Sequence, residues 1–298
     1  MKFEVICDSS ADLTRDDAKA QNITVVPFYV SLDGKTYLKE GEEISISEFY
    51  QSMVEHSDCY PKTSMPSIQD YIDAFMPFVR NGTPVLCICL TKKFSGSMQS
   101  AVEAREAILE DYPSASIHVM DSQLATALEG MLVTEACRLR DLDLDLETAV
   151  SLLEPIRSTG HIFFTTKDLK YLEHGGRLSK AGRIAGTVLN LKPLLRFYNG
   201  ELGPVEVCRG RKKSLEKVIS NFMSYLAQEH IDLSHYYLGT GIGLNVPEYD
   251  GFIRSLEEQL AKAGMKADQW IKLNIGATIG VHTGPYPAGL GILKKCAI

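Results

Sequence analysis

The 298-residue chain lacks most of the features that assign a function at sight. No apolar stretch approaches the roughly 20 residues of a membrane span. The longest apolar runs, such as Val85-Leu86-Cys87-Ile88-Cys89-Leu90, have the length of a buried strand. Charge arrives at Lys2 and Glu4, too soon for a secretory signal, so a cytoplasmic location is expected. An excess of positive charge is also missing. The 31 basic and 38 acidic side chains leave −7, which opposes binding through phosphate neutralisation, so nucleic acid is not an expected partner. The seven cysteines include no Cys-x-x-Cys pair and no His at zinc spacing; they read as reduced, mostly buried thiols, and no metal is expected. There is no Gly-x-Ser-x-Gly elbow and no phosphate loop, and Gly239-Thr240-Gly241-Ile242-Gly243 is one residue out of register for a dinucleotide fingerprint. These motifs supply no nucleophile elbow, and no nucleotide cofactor is expected.

What remains is an ordinary globular composition, 45% hydrophobic and 23% charged, in a length that suits two domains at roughly 100–200 residues each. Strand-like runs at residues 3–7, 23–30, 85–90 and 116–120 alternate with helical patterns. Ser67 with Asp70 forms a capping box ahead of Ile68, Tyr71, Ile72 and Phe75, which share one helical face. Ser45 with Glu48 opens the helix before it, and further helices are predicted after Ser97 and over 125–139 and 147–157. This alternation implies βαβ units and a mostly parallel, Rossmann-like sheet with flanking helices. Ser158-Thr159-Gly160 breaks the chain, so the expected domains are 1–158 and 159–298. The second is also read as α/β, with strands at 161–165, 191–198, 236–239 and 270–275 and helices over 212–229 and 247–263.

In an open α/β sheet, ligands bind beyond the carboxyl ends of the strands. Four loops there are rich in hydroxyls: Asp8-Ser9-Ser10-Ala11-Asp12, Lys62-Thr63-Ser64-Met65-Pro66-Ser67, Thr91-Lys92-Lys93-Phe94-Ser95-Gly96-Ser97, and Asp121-Ser122. Each also reads as helix capping. The third loop is the most informative, because a glycine beside a helix start exposes backbone amides and a positive dipole end to a small anion. His282, in the Gly- and Pro-dense stretch Ile279 to Gly291, is expected in a shaped loop, where it could donate to an anion, act as a base, or bond to backbone. The runs Gly175-Gly176-Arg177-Leu178-Ser179-Lys180, Lys192-Pro193 and Arg209-Gly210-Arg211-Lys212-Lys213 concentrate positive charge in the second half, as a solvated face or a docking surface for an acidic partner.

Six motifs in order resemble the DegV family of fatty-acid-binding proteins: Asp8-Ser9-Ser10-Ala11-Asp12; Lys62-Thr63-Ser64-x-Pro66-Ser67; Phe94-Ser95-Gly96-Ser97; Tyr171-Leu172-x-x-Gly175-Gly176-Arg177-Leu178-Ser179; Lys192-Pro193-Leu194; and His282-Thr283-Gly284-Pro285. The resemblance implies a two-domain α/β protein holding one long-chain fatty acid, such as palmitate, stearate or oleate, between its domains. Thr63 and Ser95 match the family's carboxylate-binding residues, with Ser64, Gly96, Ser97, His282 and Thr283 as neighbours. It also implies a non-catalytic subunit, without a cofactor, that presents the acid to an ATP-binding fatty acid kinase subunit for acyl-phosphate formation and phospholipid synthesis; Arg177 and Arg209, in the basic runs, are the candidate docking residues. Three departures stand out: Met65 where a polar residue is usual, Ser97 where Thr is common, and Tyr286-Pro287-Ala288 after His-Thr-Gly-Pro.

The physics suits that implication. A tail of about sixteen carbons buried at about 0.8 kcal/mol per CH₂ gains roughly 12 kcal/mol gross, from which association entropy is subtracted. The carboxylate costs several kcal/mol to bury without hydrogen-bond donors. Two other readings remain open. One is a small-molecule phosphotransfer or hydrolytic enzyme using Ser95 and His282, which requires a carboxylate behind the histidine. The other is a module whose lipid regulates a protein contact.

Overall fold

A computed structural model describes residues 2–57, 59–177, 191–244, 247–265 and 270–297. The chain runs β1 (Glu4–Asp8), α1 (Arg15–Ala20), β2 (Ile23–Val26), β3 (Tyr29–Ser31), β4 (Leu38–Lys39), α2 (Ile46–Glu55), β5 (Lys62–Ser64), α3 (Ile68–Val79), β6 (Val85–Cys89), α4 (Ser97–Asp111), β7 (Ile117–Asp121), α5 (Ala127–Asp141) and α6 (Leu146–Ile156). It continues through β8 (His161–Thr165), α7 (Lys170–His174), β9 (Leu191–Tyr198), β10 (Glu201–Arg209), α8 (Arg211–Gln228), β11 (Tyr236–Ile242), α9 (Glu248–Lys262), β12 (Trp270–Asn274), α10 (Ala277–Thr283) and β13 (Ala288–Lys294).

Three sheets result. The first half forms a parallel sheet in the order β2-β1-β6-β7, as the alternation of strands and helices requires. The second half forms a six-stranded sheet, β10-β9-β8-β13-β11-β12, antiparallel except for β11 with β12. A small antiparallel sheet, β4-β3-β5, carries Thr63. Residues 23–30 are two strands in different sheets, because Pro27 offers no N–H to a ladder and restricts Val26 before it.

Strand alternation sorts the core into layers. On β6, Val85, Cys87 and Cys89 pack with Tyr71 and Phe75 of α3 and Ala101 and Ala104 of α4, while Leu86 and Ile88 face the opposite way toward α5. On the second sheet, Phe163, Leu238, Leu290 and Ile292 meet α8 and α9, while Phe164, Leu195, Tyr237 and Leu293 face α5. Helix α5 is thus the middle of five layers, buried on every side, as a helix between two sheets must be. Both predicted capping boxes are formed, Ser45 with Glu48 and Ser67 with Asp70. The chain break falls in a short 3-10 turn, Arg157–Thr159, ahead of β8. The largest apolar cluster nevertheless draws on both halves, and α10 packs among Val30, Phe49, Tyr50 and Met53. Six of the seven cysteines are buried and Cys59 is exposed.

Candidate functional site

A cavity opens in the middle layer beside the start of α5, beyond the carboxyl ends of β2 and β6. It offers about 180 Å³ to the centre of a water molecule, more than ten times what one water occupies on that measure, roughly 10–15 Å³. Most of the wall is apolar, including Phe28, Leu90, Phe94, Phe164, Phe197 and Leu202. One side of it is almost bare backbone. Gly239 and Gly241 on β11 pair with Gly291 and Gly289 on β13, and all four point to the cavity face. A Cβ at Gly289 would come within 2.7 Å of the Cβ of Phe164, and one at Gly241 within 3.2 Å of the Ile275 side chain. Gly239 and Gly291 are partly covered by Met131 and Leu128 of α5, which a Cβ would meet at 2.2 and 3.1 Å, so the glycines admit packing onto the sheet as well as lining the cavity. The Gly-x-Gly spacing, read as a failed nucleotide fingerprint, is a strand-period signal for this wall.

The other end is polar. Five hydroxyl side chains line the cavity: Thr63, Ser95, Thr126, Thr278 and Thr283. Three spend their proton on the protein. Thr126 donates to buried Asp12, Thr278 donates to buried Glu40 at 2.6 Å, and Thr283 donates to the Ile279 carbonyl at 3.3 Å. Thr126 is held there at φ 51°, a costly conformation for a β-branched residue.

Thr63 and Ser95 differ. Ser95 Oγ accepts the Ser97 backbone N–H at 3.1 Å, and Thr63 Oγ1 lies 3.3 Å from His282 Nε2. His282 Nδ1 is buried without a partner. An empty lone pair there is cheaper than an orphaned N–H, which places the ring proton on Nε2, donating to Thr63. Both hydroxyl oxygens therefore accept from within the protein and keep their own protons for the cavity.

Burial, and secondarily the Arg177 charge, push the His282 pKa down to about 4, so the ring is neutral at pH 7. It stands on α10 and not in a loop, since tertiary packing overrides the local glycine content. Gly175 makes room for it: a Cβ there would sit 2.0 Å from Nδ1. Helix α4 begins at Gly96 with no side-chain cap and no acid in its first turn, unlike α2 and α3. Of its first-turn amides, the Ser97 N–H is held by Ser95 Oγ, and the N-cap residue itself supplies no side-chain acceptor for the others.

Three expectations need correction. Ser64 is exposed, bonds to the Met65 carbonyl at 3.5 Å, and stands outside the cavity wall, because alternation along β5 turns it away from Thr63. Ser97 is buried away from the wall, donating to Asp8 at 2.8 Å and meeting the Tyr71 hydroxyl at 2.6 Å. Arg177 is half-buried and lines the cavity. Its guanidinium turns inward to the Phe94 carbonyl at 2.7 and 3.1 Å and the Gly175 carbonyl at 2.6 Å, which ties the Ser95 loop to the end of α7.

Arg209 is exposed on β10. Arg211 pairs with Glu248, and Leu178, Ser179 and Lys180 lie outside the described residues. Of the four hydroxyl loops, those carrying Thr63 and Ser95 reach the cavity; Asp8 and Asp121 accept amides at turns instead. Gly96 and Thr283 both line it. Met65 sits beside Gly96 at the rim and is 45% exposed.

The geometry does not assemble a nucleophile and base. No carboxylate stands behind His282 among the described residues, and a ring with a pKa near 4 is a poor proton acceptor at neutral pH. Among the described residues no cluster of His, Cys, Asp and Glu could hold a metal, and no helix is long and apolar enough to cross a membrane.

A family model for DegV proteins, described as uncharacterised, matches residues 2–295. The chain belongs to the DegV family. A DegV domain-containing protein from Caldanaerobacter subterraneus subsp. tengcongensis is 34% identical over 296 residues, covering 99% of each chain. Among solved structures, a stearic acid-binding protein from Eubacterium ventriosum superposes with a TM-score of 0.92 at 36% identity, covering 98% of each chain. A fatty-acid-binding DegV protein from Thermus thermophilus does so with a TM-score of 0.85 at 27% identity, over 99% of this chain and all of that one. The DegV fold thus reads as the α/β architecture expected from the sequence.

Proposed function

We propose that this DegV protein binds one long-chain fatty acid, with its carboxylate between Thr63 and Ser95 and its tail along the glycine wall. The observation that carries this reading is the pairing of an apolar cavity with two hydroxyls whose oxygens are already satisfied and whose protons are free. The Gly96 end of α4, His282 and Thr283 complete the polar end; Ser64 and Ser97 leave the ligand set. Donation by hydroxyls and amides offsets desolvation of the carboxylate, and Arg177 adds a positive charge nearby. The relatives from Eubacterium ventriosum and Thermus thermophilus support the ligand class.

In this reading the protein performs no chemistry alone. One carboxylate oxygen stays accessible at the rim for a phosphoryl group delivered by an ATP-binding kinase subunit, with Arg209 on the docking face. The domains divide at 158/159, the acid lies at their seam, and the protein works in the cytoplasm. Titrating delipidated protein with palmitate and with oleate tests the first claim. One-to-one binding of either acid is expected, and no binding of both overturns it. Acyl phosphate formed from ATP only when a kinase subunit is added tests the second.

A further inference from the structure

A group of buried acids lies beneath the polar end of the cavity. Helix α5 carries Glu129 into the interior, where it has no exposed surface. Asp8, at the end of β1, is equally buried. Between them Ser10 Oγ lies 2.6 Å from Asp8 Oδ1 and 2.7 Å from Glu129 Oε2. A serine hydroxyl owns one proton and donates to one of these oxygens only. The second contact, at hydrogen-bond length, sets lone pair against lone pair unless that carboxyl brings a proton of its own.

The surroundings decide which one does. Asp8 is an acceptor throughout: Oδ2 takes the Leu90 N–H at 3.0 Å and the Ser97 hydroxyl at 2.8 Å, and Oδ1 takes the Ser10 N–H at 3.2 Å. Glu129 has only the Ser10 contact, and its Oε1 is buried without a partner. The ionisable groups facing it, Cys7 and Asp8 from β1, Asp12 from the following turn, and Cys87 and Cys89 from β6, all become negative on ionising. We infer that Asp8 and Glu129 share a single proton that resides on Glu129, and that the chain Glu129–Ser10–Asp8–Ser97 positions Ser95 for the ligand's carboxylate.

The chain has one direction. Glu129 donates to Ser10, Ser10 donates to Asp8, and Ser97 donates to Asp8 from the other side. Because the Ser97 proton is committed, the Tyr71 hydroxyl at 2.6 Å donates to Ser97 Oγ. Ser97 is thereby fixed as the first residue of α4, and its backbone N–H holds Ser95 Oγ. Asp8 supplies one negative charge near the amide end of α4, where it is favourable. A second charge on Glu129 would oppose both Asp8 and an incoming carboxylate. Burial first, and Asp8's charge second, hold Glu129 well above the ordinary carboxylate value. Asp8 is raised by burial too, but its bonds from Ser10, the Leu90 N–H and Ser97 oppose that.

The positioning role rests on the fatty-acid reading of the cavity; the proton assignment does not. Glu129→Gln replaces the O–H donor with an N–H donor of similar shape. It should remove a protonated-carboxyl stretching band from the infrared spectrum and keep palmitate affinity within about twofold, whereas Glu129→Ala should weaken binding. A raised pKa stabilises the fold below the unfolded value, and that stability is lost as pH rises through the folded value. The melting temperature of the unmutated protein relative to Glu129→Gln should therefore fall with rising pH. Ser97→Ala, which cuts the link from Asp8 without removing the Ser97 N–H, should lower palmitate affinity roughly fivefold, the worth of one ordinary hydrogen bond. An unchanged infrared spectrum with a flat pH difference overturns the proton assignment. Undiminished affinity in Ser97→Ala overturns the positioning role. If the unmutated protein takes up no palmitate, the positioning role falls with the cavity reading, while the band and the pH slope still decide where the proton lies.

Discussion

At one end of the cavity, Thr63, Ser95 and His282 bring polar atoms together from β5, the loop ahead of α4, and α10; at the other, Gly239, Gly241, Gly289 and Gly291 strip a sheet of side chains. The polar end works by addition. Each free hydroxyl has a donor behind it, and the Ser95 loop is tied down by Arg177 on one side and by the Asp8 network on the other. The glycine end works by removal, and it selects volume more than chemistry. On the fatty-acid reading, head-group recognition and tail accommodation are therefore separable, and substitutions should uncouple them.

Gly241→Val should have the largest effect. A valine there presses on Ile275, which its Cβ would meet at 3.2 Å, and crowds the cavity; displacing three or four methylenes of a long tail at about 0.8 kcal/mol each costs about 2–3 kcal/mol of palmitate affinity. Octanoate, too short to need the wall, should lose little, so calorimetric titration of both acids reads the tail end alone. Ser95→Ala should weaken both acids together, by about 1–3 kcal/mol, through loss of a hydrogen bond to a charged group. A palmitate-specific loss in this variant would break the division between the two ends.

His282 gives a smaller, pH-dependent effect. Its pKa is pushed down to about 4 in the folded protein, from an ordinary value near 6.5. The unfolded chain takes up the proton first as pH falls, so the stability contributed by the neutral ring is present above about 6.5 and lost as pH falls through about 4. Melting curves of the unmutated protein and His282→Gln should converge over that window. Arg209→Ala, distant in role from both ends, should leave palmitate affinity within about twofold and lower only the acyl phosphate formed with a kinase subunit. A large affinity loss would move Arg209 from the docking face to the cavity.

The polar end was partly legible in the sequence because hydroxyls after strands are both caps and anion donors, and Thr63 and Ser95 turned out to be the two not spent on the protein. Ser64 and Ser97 were indistinguishable from them without knowing which way β5 and α4 turn. Arg177 follows two glycines and looks like a surface cation, yet its guanidinium closes on backbone carbonyls 83 and 2 positions away in the chain. The glycine end was hidden by its own composition. Glycine weakens strand propensity, so the stretch Ile279 to Gly291 reads as a shaped loop in sequence, although its first residues belong to α10 and its last to β13, inside the sheet between β8 and β11. Pairing of Gly239 with Gly291 and of Gly241 with Gly289 depends on register, which a single sequence does not contain.

The most direct test of the account is the chemical identity of what the protein carries. Protein purified under native conditions from a bacterial host should yield, on organic extraction and mass spectrometry, a straight-chain fatty acid of about sixteen to eighteen carbons at close to one per chain. Gly241→Val should yield a shorter acid or none. Extracts that repeatedly contain no fatty acid, from protein that also takes up no added palmitate or oleate, would contradict it.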